Sequence, residues 1–160
     1  MSSFDRRTLL VGLTALAGCG FTPIYGPDGA AEPLNGRIEV VPPIDEEGFA
    51  LVRRLESRLG RGEAPEYRLG AAIRISEEAV GFLPDGTISR YNVLGQVEWR
   101  LVRLSDMTLT LSGREQSFSS YSATSTTVAT TVAQRDARRR LMVAIADRIT
   151  ADILARSDLL

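Results

Sequence analysis

The residues whose type and spacing first suggest nucleophilic or acid-base chemistry are a single thiol, Cys19, and two adjacent carboxylate pairs, Glu46-Glu47 and Glu77-Glu78. There is no histidine, and with no lysine all 19 basic residues are arginine. Without imidazole there is no Ser/His/Asp or Cys/His pair, no His-ligated metal and no proton shuttle working near neutral pH. One cysteine excludes a thiolate zinc site and an internal disulfide. Catalysis would rest on carboxylates, Tyr, Ser or Arg. Adjacent carboxylates usually point apart and stay hydrated, so neither pair reads as an acid/base couple. Residues 81–86 (GFLPDG) lack the Gly-Lys-Ser/Thr ending of a phosphate loop. The reading is of a protein with no catalytic residues, no metal and no cofactor.

The position of the thiol is more informative than its chemistry in isolation. Residues 1–18 have a charged start with Arg6 and Arg7, an apolar stretch from Leu9 to Leu16, and small residues at the end. That is the pattern of an export signal, too short for a permanent span of roughly 20 apolar residues. Leu16-Ala17-Gly18-Cys19 resembles the lipobox of bacterial lipoproteins. The resemblance implies a diacylglycerol thioether on Cys19, cleavage before it, and acylation of the freed amine by a fatty acid such as palmitate. Several chains, at about 0.8 kcal/mol per buried CH₂, hold a protein on a membrane where one would not. Gly20, in place of Asp, implies sorting to the outer membrane. Residues 5–10 (DRRTLL) also resemble a twin-arginine export motif, with Asp5 where Ser or Thr is usual, so the general secretory route stays open.

The formal net charge is -1, and removing Asp5, Arg6 and Arg7 with the leader makes it -2. This does not suggest a nucleic-acid binder, which would normally be basic. The expected organisation is a signal peptide over 1–18, a lipidated Gly/Pro-rich tether over 19–36 and one domain over 37–160.

Within the domain, residues 37–41 (RIEVV) predict a short strand halted by Pro42-Pro43. Asp45 is a plausible N-cap for a helix ending at Gly60, with Phe49, Val52, Leu55 and Leu59 as its apolar stripe. Residues 66–76 alternate as a half-buried strand, with Tyr67, Leu69, Ala71, Ile73 and Ile75 on one face. A turn at Pro84-Asp85-Gly86 leads to a strand carrying Tyr91, Val93, Val97, Trp99 and Leu101 on one face. Ser105-Asp106 turns the chain into a third strand, with Leu109 and Leu111 on that face. The Ser/Thr-rich residues 119–131 are ambiguous. From about Val128 to Leu154, Ala133, Ala137, Leu141, Ile145, Ile149 and Ile153 recur every four residues on a helix of roughly 40 Å. The fold class is α+β: a two-layer sandwich with an approximately four-stranded mixed sheet, two helices on one face, and the order β-α-β-β-β-α.

If the odd positions of the meander face the helices, the even ones form the second sheet face. Arg68, Arg74, Arg90, Arg100 and Arg114 all fall there, among Leu94, Val102 and Phe118 and against only Glu66 and Glu98. A solvated face is the plain reading. The sharper one is a contact surface, because arginine forks suit phosphates and carboxylates. Arg138-Arg139-Arg140 splay by about 100° each around a helix and read as solvated.

The opening CGFTPIYG, the strand ending in a turn before Tyr91 and the terminal VAQRDARRRLMVAIADRITADIL resemble the LPS-assembly lipoprotein LptE family, over essentially the whole mature chain. The resemblance implies a small sheet with helices on one side and a non-enzymatic role at the outer membrane. There the family plugs the export barrel LptD, assists its assembly, and binds lipopolysaccharide on its way to the cell surface. Cys19 would be the lipid attachment point. Basic residues near strand turns bind lipopolysaccharide in some members, whereas residues 82–86 here carry no base. Two rivals remain: an auxiliary lipoprotein of a lipid-transport ABC complex, and a tethered carboxylate-dependent hydrolase.

Overall fold

The computed structural model describes residues 34–123 and 126–160; Cys19, the leader and most of the tether lie outside them. The elements are β1 (Ile38–Val40), α1 (Glu46–Leu59), β2 (Tyr67–Phe82), β3 (Ile88–Arg103), β4 (Leu109–Ser122), α2 (Thr127–Ala155) and a closing 3-10 turn (Ser157–Leu159). The sheet runs β1-β2-β3-β4, with β1 parallel to β2 and the other neighbours antiparallel. The expected α+β sandwich, its order and its mixed sheet are what the chain forms.

Local chemistry sets the ends of these elements. Asp45 caps α1, its carboxylate accepting from Gly48 N–H at 2.6 Å, and Gly60 ends the helix at φ 79°. The β2–β3 turn closes through Gly86, at φ 85°, whose N–H donates to Leu83 O. The ambiguous Ser/Thr run divides: β4 continues to Ser122, and Thr126 caps α2 by accepting from Ala129 N–H.

The core lies between the helices and one sheet face. Two rows of α2, Ala137-Leu141-Ile145-Ile149-Ile153 and Met142-Ala146-Leu154, are buried together with Val93, Val97, Trp99, Leu101 and Leu111 of the sheet. Leu51, Leu55 and Leu59 of α1 join Ile38, Val40 and Leu69 to complete it. Two glycines let the layers close. A Cβ on Gly95 would meet Leu141 at 2.9 Å, and one on Gly113 would meet the Trp99 ring at 2.8 Å.

Two expected core positions face outward instead. Phe49 is 59% exposed, because the buried row of α1 runs through Gly48, Leu51, Leu55 and Leu59, one residue out of phase with it. Leu109 is exposed because the β3/β4 register jumps between Leu101↔Leu111 and Val102↔Leu109, leaving Thr110 as an extra residue that reverses the side-chain alternation.

The two sheet edges differ. On β4, Arg140 and Arg148 of α2 and Arg156 just past its end donate to the carbonyls of Ser120, Gln116 and Ser112. An eight-residue step of helix matches a four-residue step of strand, at about 12 and 13 Å, so these arginines run along an edge that would otherwise invite pairing. Arg156 also lies over the Trp99 ring at 5.2 Å.

Replacing Gly113 by Ala should lower stability by about 1–3 kcal/mol, read as a shift of the urea midpoint. At Gly70 an added Cβ meets only Val41, at 3.9 Å. Gly70→Ala should therefore stay within about 0.5 kcal/mol.

Candidate functional site

The helices cover one face of the sheet and leave the other open, and the five arginines singled out by alternation do reach that open face as exposed residues. Strand register arranges them in rows: Gly70, Arg100 and Ser112; then Ala72, Glu98 and Arg114; then Arg74, Gln96 and Gln116; then Ser76, Leu94 and Phe118. Arg90 stands at the root of the β2–β3 hairpin, opposite Ser122.

The face is less positive than a count of arginines suggests. Glu98 accepts from Arg74 at 3.0 Å and from Arg114 at 3.1 Å, and also from the Gln96 amide at 3.3 Å. The Arg74 charge first, then its hydrogen bond, hold the Glu98 carboxyl below its ordinary value; burial opposes them, and the Arg114 pairing adds a smaller share. Arg68 pairs with Glu39 of β1 at 3.0 Å, a carboxylate that alternation within the meander could not bring into view. Arg90 and Arg100 have no carboxylate in ion-pair reach among the described residues.

Apolar surface adjoins these charges. Phe118, 71% exposed, is the register partner of Leu94. A shallow depression of about 510 Å³ joins Arg74, Leu94, Gln96, Gln116 and Phe118. Cationic forks beside an aliphatic and an aromatic side chain can meet a phosphate or carboxylate together with the hydrocarbon attached to it.

A second polar cluster lies at the helix-sheet seam. Glu77 of β2 accepts from the Tyr121 hydroxyl and the Gln134 amide at 2.9 Å, and from Arg138 Nη2 at 2.7 Å. Arg138 also reaches Glu47 of α1 at 2.9 Å, so one guanidinium joins both helices to the sheet. The adjacent-pair reading holds only halfway: Glu77 turns inward while Glu78 stays exposed. Arg138 likewise leaves the solvated face expected of it. Glu77's place on the odd, helix-facing side of β2 was the available signal. Burial pushes its carboxyl up, but the bonds from Arg138, Gln134 and Tyr121 outweigh this, and its pKa is lowered. Burial first, then the bond to Glu77, pushes the Tyr121 phenol up to about 12. Every strong donor here is already engaged, so the cluster acts as a clamp. Arg54 and Arg58 of α1 converge similarly on Asp147 of α2, at 2.9 and 3.1 Å.

Because the Glu77 pKa is lower in the folded chain, its stabilisation is complete above the ordinary value of 4.5 and is lost as the pH falls through the folded value. Glu77→Gln should cost about 1–3 kcal/mol at pH 7. The gap to the parent should narrow as the pH falls below 4.5, as read in urea midpoints across pH.

Comparison with known proteins follows the same lines. A family model described as LptE, lipopolysaccharide-assembly, matches residues 36–153. Among solved structures, a lipoprotein from Caulobacter crescentus CB15 superposes with a TM-score of 0.67 at 22% identity, covering 80% of this chain and 96% of its own. Rare lipoprotein B from Shewanella oneidensis gives 0.56 at 13% identity, covering 74% and 92%. A minor lipoprotein from Acinetobacter baumannii gives 0.53 at 17% identity, covering 74% and 89%. At these identities the likeness is one of fold. No curated protein matches the chain.

Proposed function

The chain belongs to the LptE lipopolysaccharide-assembly family, and from that premise we propose that it is an outer-membrane lipoprotein that plugs the export barrel LptD, assists its assembly and takes part in moving lipopolysaccharide to the cell surface. Cys19 is the proposed anchor, lipidated on the periplasmic side, with residues 19–36 as a tether.

The observation that supports this reading most is the open sheet face. A plug must offer side chains to a surrounding wall, and a ligand with phosphates and acyl chains needs cations beside apolar surface. Arg90 and Arg100 have no carboxylate partner there among the described residues, and Leu94 lies between them on β3 with Phe118 beside it on β4. Arg68, Arg74 and Arg114 contribute less free charge, because Glu39 and Glu98 already answer them. The role proposed is one of binding and support, with no turnover.

Arg90→Ser with Arg100→Ser should reduce recovery of a heat-modifiable barrel, or of lipopolysaccharide, from detergent-solubilised membranes by about tenfold while the fold is unchanged by circular dichroism. That is the effect of losing roughly 1.4 kcal/mol across two charge-assisted contacts. Arg68→Ser alone should have a smaller effect. Normal recovery in the double variant would remove the face from the proposal. Recovery of an inner-membrane ATPase complex would favour the ABC-auxiliary reading.

The anchor is tested separately. Cys19→Ser should abolish labelling by radioactive palmitate and, because the thioether precedes cleavage, leave the leader attached, read as a larger chain lost from the outer-membrane fraction while the domain stays folded.

A further inference from the structure

The second edge of the sheet carries an inference beyond the barrel reading. Tyr67 N–H donates to Arg37 O, and Leu69 O accepts from Val41 N–H. Odd residues of β2 therefore aim their backbone groups toward β1, and even residues toward β3. β1 covers only Tyr67 to Leu69, and the chain then leaves through Pro42-Pro43. The N–H and C=O groups of Ala71, Ile73, Ile75 and Glu77 on that side have no backbone partner among the described residues. No arginine ladder covers them, unlike those of β4.

We propose that a second copy of this chain occupies the edge when no barrel encloses it, pairing β2 with β2 antiparallel about a two-fold axis at Ser76. An axis there sets Arg74 of each copy opposite Glu78 of the other, Ile75 opposite Glu77 and Ile73 opposite Ala79. It also makes the odd residues the hydrogen-bonded pairs, as their free groups require. Other registers lose this match. An axis at Arg74 or at Glu78 puts like charges face to face, and one at Ile75 leaves Glu78 opposite Ala72. Arg74 can be shared because Glu98 keeps Arg114.

The ends of the edge are complementary as well. Val41 and Ile44, the latter 98% exposed, lie just past β1, while Val80, Phe82 (63% exposed) and Leu83 lie at the hairpin end. Antiparallel pairing brings the hairpin end of each copy beside the β1 end of the other and covers both apolar groups, the self-complementarity that a two-fold interface needs. The result is a continuous eight-stranded sheet.

The test uses the full chain with Cys19→Ser, in detergent. Adding Ser76→Cys should give a disulfide-linked dimer on mild oxidation, since non-hydrogen-bonded partners lie about 4.5 Å apart between Cα atoms, whereas Ser122→Cys on β4 should not. By sedimentation, Arg74→Glu should raise the dimer dissociation constant about tenfold by turning two attractive cross-strand pairs repulsive, and Arg74→Glu with Glu78→Arg should restore it. A monomer at every concentration overturns the proposal, as does a dimer indifferent to Arg74→Glu. So does slow amide exchange at Ala71, Ile73 and Ile75 in a monomer, which would mean that a segment of the same chain holds the edge.

Discussion

The domain depends on one long contact, that of α2 along β3 and β4. Its buried residues recur every four positions, and four residues turn an α-helix by about 40° more than a full circle. The stripe therefore winds slowly around the helix, as it must to stay on a sheet whose strands are themselves twisted. Arg140 and Arg148 each precede a stripe residue and follow the same winding, so that with Arg156 they track the β4 carbonyls. Gly95 and Gly113 remove the two side chains that would hold the layers apart. Helix, edge protection and glycine windows answer one geometric demand.

What the amino-acid pattern disclosed of this follows from how each feature is encoded. The alternation of Tyr67 and Leu69, the four-residue stripe and the Asp45 and Gly60 boundaries are local, and they appear in the structure where expected. Phe49 misled because in a helix of 14 residues two phases of apolar spacing compete. The choice between them is made by the sheet, through Gly48 and Leu51. Leu109 misled because a bulge in pairing has no signature in one strand alone. The five arginines were placed on their face by parity, yet their partners Glu39 and Glu98 depend on neighbours that only strand order supplies. The clamp of Glu47, Glu77, Tyr121 and Arg138 draws on four elements, and no spacing rule relates them.

The two faces of the sheet divide the work. One is filled by helices and fixes the fold, with the clamp around Glu77 and Arg138 tying four elements together. The other carries little packing demand, so its residues are free to be chosen for what they meet. Ion pairs across it hold Arg74, Arg114 and Arg68 in defined positions, while Arg90 and Arg100 have no carboxylate partner among the described residues. Membership of a lipopolysaccharide-assembly family fits a domain that commits one surface to stability and reserves the other.

The position of α2 after the meander also bears on the order in which the protein can acquire structure. The β2–β3–β4 meander joins sequence neighbours, so its pairings can form early and fast. The part of its apolar face on β3 and β4 has no cover, however, until residues 127–155 are present, and a sheet in that state is prone to aggregate. A polypeptide delivered from its N-terminus would pass through this uncovered stage each time, which makes residues 127–155 the step that shields the sheet from its neighbours.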